Sequence, residues 1–281
     1  MEKVCNPCFI ARDRFDVDEV AGKRDEIHGE ENILPAELRN GRVPGGCPSQ
    51  QSPAGVCYCD VLHRTSTIRS LFLDGPAGRL EALLNAGSDH ATHAALVCHP
   101  HPLYGGTLHN KVVFHTMKAL NSFGFPVLRF NFRGTGLSQG EHDNGIGEVD
   151  DVHAALDWLD REFHLPVIFA GFSFGAAVGL RAACPDPPVQ ALIGLGLPAV
   201  PAEGRSYDLS FLQTCSKAKL FVSGARDEFG PRVEIERLVQ SLAEPKKLVL
   251  VDGADHFFEG RLRELREEIE GWVKEVLGAS S

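Results

Sequence analysis

The stretch Gly171-Phe172-Ser173-Phe174-Gly175 constrains this chain most, because an apolar run over residues 166–170 leads into it and a small-residue run over 176–180 leads out. The first run has the composition of a buried strand and the second that of a helix. Strand, sharp turn and helix within so few residues hold the serine at the apex with its hydroxyl exposed. The flanking glycines permit a backbone approach that a larger side chain would block. The helix starting after Ser173 points its unpaired N–H groups and positive dipole end at the apex, where an oxyanion would be stabilised. The turn is therefore suited to acyl transfer with Ser173 as nucleophile.

A serine at such a turn needs a base and an orienting acid, which on this type of sheet follow it in the order acid, then histidine. Of twelve histidines only His256 lies beyond Ser173. It sits in a glycine-containing loop after an apolar run ending at Val251, a strand-end position where catalytic groups collect on α/β sheets. The run over residues 219–223 ends likewise in a loop holding Asp227 and Glu228. Asp227 is the preferred acid: it would accept the Nδ1–H of His256, fix its tautomer and stabilise the imidazolium. Glu228 is the rival. Asp252 and Asp255 lie too near His256 in sequence to reach its ring from the required side, and Asp186 and Asp208 are weaker competitors.

The oxyanion needs two donors. One is the backbone N–H of Phe174, the residue after the nucleophile. The other should come from the loop after the strand near residues 94–99, in His99-Pro100-His101-Pro102-Leu103-Tyr104-Gly105-Gly106. His101 is the candidate, since prolines at 100 and 102 have no N–H, with Leu103 as fallback. His99 and His101 read less well as a metal pair, for no third ligand stands at suitable spacing. Gly134-Thr135-Gly136-Leu137-Ser138-Gln139-Gly140 follows a strand as nucleotide loops do, but it lacks a Lys-Ser/Thr ending and the last glycine of GxGxxG. It reads as a sharp loop, and Arg133 beside it as a structural charge.

Four blocks, residues 99–106, 131–140, 171–175 and 253–258, together resemble small lidless bacterial serine hydrolases of the α/β-hydrolase superfamily. The resemblance spans roughly residues 68–278. It implies a serine hydrolase of the esterase or serine-aminopeptidase-like kind, with no particular substrate. Pro100 stands where that superfamily more often has glycine.

The coarse pattern independently predicts an α/β fold: a mainly parallel sheet of about eight strands, helices on both faces and no cap domain. Residues 71–84 read as an antiparallel hairpin around an Asp74-Gly75 turn. Strands follow near 94–99, 125–131, 166–171, 189–196, 219–223 and 247–251. Ile146, Val149, Val152, Ala155, Leu156 and Leu159 recur at helical spacing, as do Leu262, Leu265, Ile269, Trp272, Val273 and Val276. Only residues 197–217 separate two late strands, where caps commonly enter. The cleft should therefore be open, which favours short-acyl esters or a peptidase-like activity over triglyceride hydrolysis.

A net charge of −10 argues against nucleic-acid binding, and no apolar run is long enough to span a membrane or form a signal-peptide core. The expectation is a cytoplasmic enzyme without metal or cofactor whose partner is a small acyl substrate. Residues 1–67 lack periodicity and are expected to form a disordered extension before a catalytic domain over 68–281. Five of the eight cysteines fall in the extension, but Cys57-x-Cys59 is short of the usual zinc-ligand spacing. Cys98, Cys184 and Cys215 read as reduced core thiols. The remaining alternative is a non-catalytic binding protein of the same fold.

Overall fold

The structure, a computed structural model, describes residues 67–201 and 204–278. The extension expected over residues 1–67 lies, apart from Thr67, outside the described residues, and so do its cysteines. The described chain runs β1 (Ile68–Gly75), β2 (Gly78–Asn85), β3 (Ala94–Cys98), α1 (Lys111–Asn121), β4 (Val127–Phe130), α2 (Gly147–Phe163), β5 (Val167–Phe172), α3 (Phe174–Ala183), β6 (Val189–Leu195), β7 (Ala218–Gly224), α4 (Arg232–Gln240), β8 (Lys246–Val251) and α5 (Leu262–Gly278).

All eight strands form one sheet in the order β1-β2-β4-β3-β5-β6-β7-β8. β2 pairs antiparallel with both β1 and β4, and every pairing from β4 to β8 is parallel. The parallel strands read as continuous apolar runs because helices cover both faces of the sheet. β3, β4 and β5 are buried at every position. On one face β5 and β6 place Phe169 and Leu192 with α2, α3 and α4, while on the other Ile168, Ile193 and Val222 pack with α1 and α5. Removing a side chain such as Phe169, which is wholly buried, would cost about 3–5 kcal/mol through lost transfer energy and the cavity left behind.

Two local expectations are corrected. The hairpin reverses at Pro76-Ala77: Asp74 pairs with Arg79 and Gly75 with Gly78, so the strands continue past Asp74-Gly75. Pro76 presets its own φ for a turn and lacks the N–H that a ladder would need, and Gly78 takes φ +119°, open to glycine. Ile146, predicted on the buried face of a helix, is instead 74% exposed and precedes α2. Val152, Ala155, Leu156 and Leu159 do face the core at helical spacing. In α5, Leu265, Ile269, Trp272 and Val273 are buried as the pattern predicts.

Between β6 and β7 the described residues contain one short 3-10 turn, Ser210–Gln213, and no α-helix. Nothing in that connection is long enough to build a cap core, and the C-terminal ends of β3, β5, β6, β7 and β8 open onto one cleft.

Candidate active site

Ser173 occupies the junction between β5 and α3 with φ 54° and ψ −116°, a strained conformation for a residue bearing a Cβ. Its neighbours enforce the bend. A Cβ on Gly171 would stand 2.4 Å from the carbonyl oxygen of Gly175, and one on Gly175 would stand 2.4 Å from that of His99. Neither position tolerates a side chain without moving backbone. Ser173 N–H donates to the Leu195 carbonyl at 2.8 Å, tying the turn to the end of β6, while its own carbonyl accepts from Ala176 and Ala177. The serine is thus held at the apex by the first turn of α3 below and the neighbouring strand beside it.

His256 and Asp227 arrive from the loops after β8 and β7. His256 Nε2 lies 2.9 Å from Ser173 Oγ, and its Nδ1 lies 2.9 Å and 3.0 Å from the two carboxylate oxygens of Asp227. An ionised carboxylate only accepts, so Nδ1 carries the proton and Nε2 is left to accept the serine hydroxyl. Asp227 is itself fixed, its Oδ1 accepting the N–H groups of Phe229 at 2.8 Å and Gly230 at 3.2 Å. Both partners are buried, Asp227 at 3% and His256 at 6% exposure, whereas Ser173 is only partly covered. Burial excludes competing water from the His–Asp bond and leaves the hydroxyl accessible from the cleft.

The competing acids stand elsewhere. Glu228 is exposed. Asp255 is exposed too, and its Oδ1 closes its own loop by accepting from Phe257 and Glu259 N–H at 3.0 Å each. Asp208 pairs with Arg181 on the surface.

Phe174 is the first residue of α3, so its N–H belongs to the turn that has no partner within the helix. His101 is the N-cap of the 3-10 turn Pro102–Tyr104, and its ring packs 4.8 Å from the Phe174 ring and 4.9 Å from the His142 ring. Behind it, buried Glu148 accepts from the backbone of Asp143 and Gly145, and its Oε1 lies 2.7 Å from His142 Nδ1. This stack braces the loop after β3 against the start of α3. Leu103 N–H is engaged in closing that loop, donating to His101 Nδ1 at 3.3 Å.

His99 has no capacity left for a metal. Its Nε2 accepts Phe132 N–H at 3.0 Å and its Nδ1 donates to the Pro100 carbonyl at 2.6 Å. Burial lowers its pKa to about 4, so the ring is neutral. Arg133 is the structural charge its neighbourhood predicts, forked onto buried Asp151 at 2.8–3.1 Å. Among the described residues no His, Cys, Asp and Glu cluster could hold a metal ion.

Ser173 and His256 open into a cleft of about 170 Å³. Pro100, His101, Tyr104, Pro198, Val200, Arg205, Tyr207, Phe229 and Phe257 supply most of its wall. These wall residues, apart from His101, were not legible as site residues. They sit in connectors without periodicity, and although Pro100, Tyr104 and Phe257 fall inside the blocks 99–106 and 253–258, nothing in those blocks marks them as cleft-lining.

A family model described as an alpha/beta hydrolase domain matches residues 103–279. An uncharacterized protein of Rickettsia prowazekii is 35% identical over 210 residues, 72% of this chain and 87% of that one. Among solved structures, an alpha-beta serine hydrolase homologue from Coxiella burnetii is 38% identical with a TM-score of 0.66, covering 72% of this chain and 95% of that one. A serine hydrolase without a lid from Xanthomonas campestris is 33% identical, also at 0.66, covering 75% and 95%. The family model covers more than half of the chain and these relatives cover more than two thirds of it, so the chain belongs to the alpha/beta hydrolase family.

Proposed function

We propose that the protein is a serine hydrolase that cleaves a carboxylic ester, or a related thioester or amide, through a Ser173–His256–Asp227 triad and an acyl-enzyme. The observation that carries this reading is the continuous hydrogen-bonded line from Ser173 Oγ through His256 to Asp227, with 2.9 Å on either side of the imidazole. Ser173 Oγ attacks the acyl carbon as His256 Nε2 takes its proton, and Asp227 stabilises the resulting imidazolium. His256 then protonates the leaving group. Water, deprotonated by His256, attacks the acyl-enzyme and releases the acid. The N–H groups of Phe174 and His101 are the proposed donors to the oxyanion.

Ester substrates are favoured over an aminopeptidase activity by the wall of the cleft. Its described lining contains no Asp or Glu to recognise a substrate ammonium group. The open, partly apolar cleft suits a small acyl substrate rather than a long lipid chain. Among the described residues no helix is long and apolar enough to cross a membrane. Cys98, Cys184 and Cys215 are unpaired thiols, and burial pushes Cys184 up to about 12; inert thiols of this kind fit a reducing cytoplasm.

Steady-state hydrolysis of short-acyl esters, thioesters and aminoacyl amides tests the reading. Turnover of the esters that falls at least about 10³-fold in Ser173→Ala is expected. Turnover unaffected by Ser173→Ala would refute it, and amide cleavage exceeding ester cleavage would overturn the preference for esters while leaving the serine hydrolase.

A further inference from the structure

A second groove runs beside the catalytic cleft, between the stretch leading into α1 and the stretch leading into α5, and spans about 600 Å³ against about 170 Å³ for the cleft itself. Gly105, Asn110 and Phe257 line both, so the two cavities adjoin. Both walls of the groove come from unbroken stretches of the described chain, within residues 105–112 and 257–262. Its polar side chains are of both signs. Lys111 and Glu259 are exposed, and among the described residues neither the ammonium nor the carboxylate has an ion-pair or hydrogen-bond partner. Asn110 Oδ1 is spent on capping α1, accepting Val112 N–H at 2.9 Å, which leaves its amide N–H groups as outward donors. The Thr107 hydroxyl and the His109 ring complete the polar lining.

The direction of proton transfer decides which part of a substrate meets this groove. His256 Nε2 gives its proton to the departing alcohol, so the leaving group lies on the imidazole side of the acyl carbon, whereas the oxyanion faces the start of α3. Phe257 follows His256 in the chain, packs edge-on to its ring with centres 5.2 Å apart, and is a residue across which the cleft passes into the groove. The groove therefore extends the leaving-group side, and the smaller cleft is left for the acyl group. A long alkyl chain there would strip water from Lys111 and Glu259 without returning a hydrogen bond. An anion drawn to Lys111 would meet Glu259, and a cation drawn to Glu259 would meet Lys111. No strand contributes to the walls, so a peptide has no sheet edge to extend. A neutral polyol satisfies every group, because each hydroxyl both donates and accepts and so pairs with ammonium, carboxylate and amide alike. Its C–H face also covers the Phe257 ring, which is 54% exposed.

We infer that the groove is a saccharide subsite, and that the protein removes a short acyl group from a hydroxyl of a carbohydrate whose sugar units lie between residues 105–112 and 257–262. This deepens the hydrolase reading and rests on it for turnover, while sugar binding itself does not need the Ser173 nucleophile. Lys111, Asn110 and Glu259 bind the leaving group and take no part in proton transfer.

Substrates sharing one acyl group test it: ethyl acetate, hexyl acetate, 6-O-acetylglucose, mono-O-acetylxylotriose and an O-acetylserine tripeptide blocked at both ends. kcat/KM should be highest for the xylotriose ester, exceeding hexyl acetate by roughly ten- to a hundredfold. Because the sugar is neutral, that preference should persist as ionic strength rises. Lys111→Ala and Glu259→Ala, at exposed positions where folding is little affected, should each cut the ratio of xylotriose ester to ethyl acetate by roughly tenfold. Asn110→Ser, which keeps the helix cap, should cut it by less. Titration calorimetry of the xylotriose ester into Ser173→Ala, with and without Lys111→Ala and Glu259→Ala, reads the subsite independently of turnover. Hexyl acetate or the peptide ester as the best substrate, or sugar binding untouched by both substitutions, would overturn the inference while leaving the hydrolase intact. Sugar binding that needs Lys111 and Glu259, with no ester turned over by the wild type, would uphold the subsite and sink the hydrolase reading instead.

Discussion

The loop after β4 and the loops after β5, β7 and β8 leave the same edge of one sheet, and both regions are rich in glycine and polar side chains. They differ in what their polar atoms face. In the β4 loop the side chains of Asn131, Arg133 and Ser138 are turned inward. Asn131 Nδ2 donates to Glu81 at 2.7 Å while its Oδ1 accepts from Leu108 N–H at 2.8 Å. Ser138 Oγ donates to the Asn131 carbonyl and accepts from Glu81 N–H. Arg133 is committed to Asp151. In the triad loops the internal bonds end at Ser173, whose hydroxyl reaches His256 and stands at the cleft. A glycine-rich strand-end loop is thus a scaffold when its polar groups satisfy one another, and a site when the last of them is left facing a cavity.

The sharpest way to break this contrast is at the acid of the triad. Asp227→Asn should lower kcat by about 10⁴-fold, because an amide can no longer hold His256 in the tautomer that accepts the serine proton. Glu228→Gln, on an exposed side chain one residue away, should stay within about twofold. Equal losses in the two variants, measured by steady-state kinetics, would remove Asp227 from the mechanism.

In the scaffold loop the readout shifts from rate to stability. Asp151→Ala strands the Arg133 guanidinium, whose side chain is only 10% exposed, and should cost about 3–5 kcal/mol in denaturant unfolding. Its folded fraction should retain its kcat. A large fall in kcat without a stability loss would make the β4 loop part of the site.

His99, between the two regions, makes stability depend on pH. Its folded pKa of about 4 lies below the 6.5 of a free imidazole, so the unfolded chain takes up the proton first on acidification. The contribution is complete above pH 6.5, declines through the interval and is lost near pH 4, amounting to about 3 kcal/mol. Unfolding free energies across that interval should show a slope that His99→Asn flattens. The smallest effect is expected from Ser138→Ala, which removes one buried donor and one acceptor and should cost about 1–2 kcal/mol without altering KM.

Legibility in the sequence followed the same division. Ser173, Asp227 and His256 could be located because each ends an apolar run, and strand ends are where the parallel sheet must leave its buried layer. The strands themselves were legible from those runs, whereas Ile146 was misplaced because a helix pattern does not state where its first turn emerges from the core. The reversal at Pro76-Ala77 was masked by the more familiar Asp-Gly signal two residues earlier. Tyr104, Arg205 and Tyr207 escaped notice because connector residues obey no period, and their meeting depends on how separate loops fold over one edge. Leu103 lost its standing as a donor for a reason only geometry supplies: its N–H closes the turn onto His101.

The most direct test of the central claim is intact-mass labelling with a fluorophosphonate, comparing the wild type with Ser173→Ala and His256→Ala. An activated serine hydrogen-bonded to His256 at 2.9 Å predicts one adduct on the wild type, none on Ser173→Ala and a strongly slowed reaction on His256→Ala. A well-folded wild type that takes no adduct, or one labelled equally in Ser173→Ala, would contradict the account.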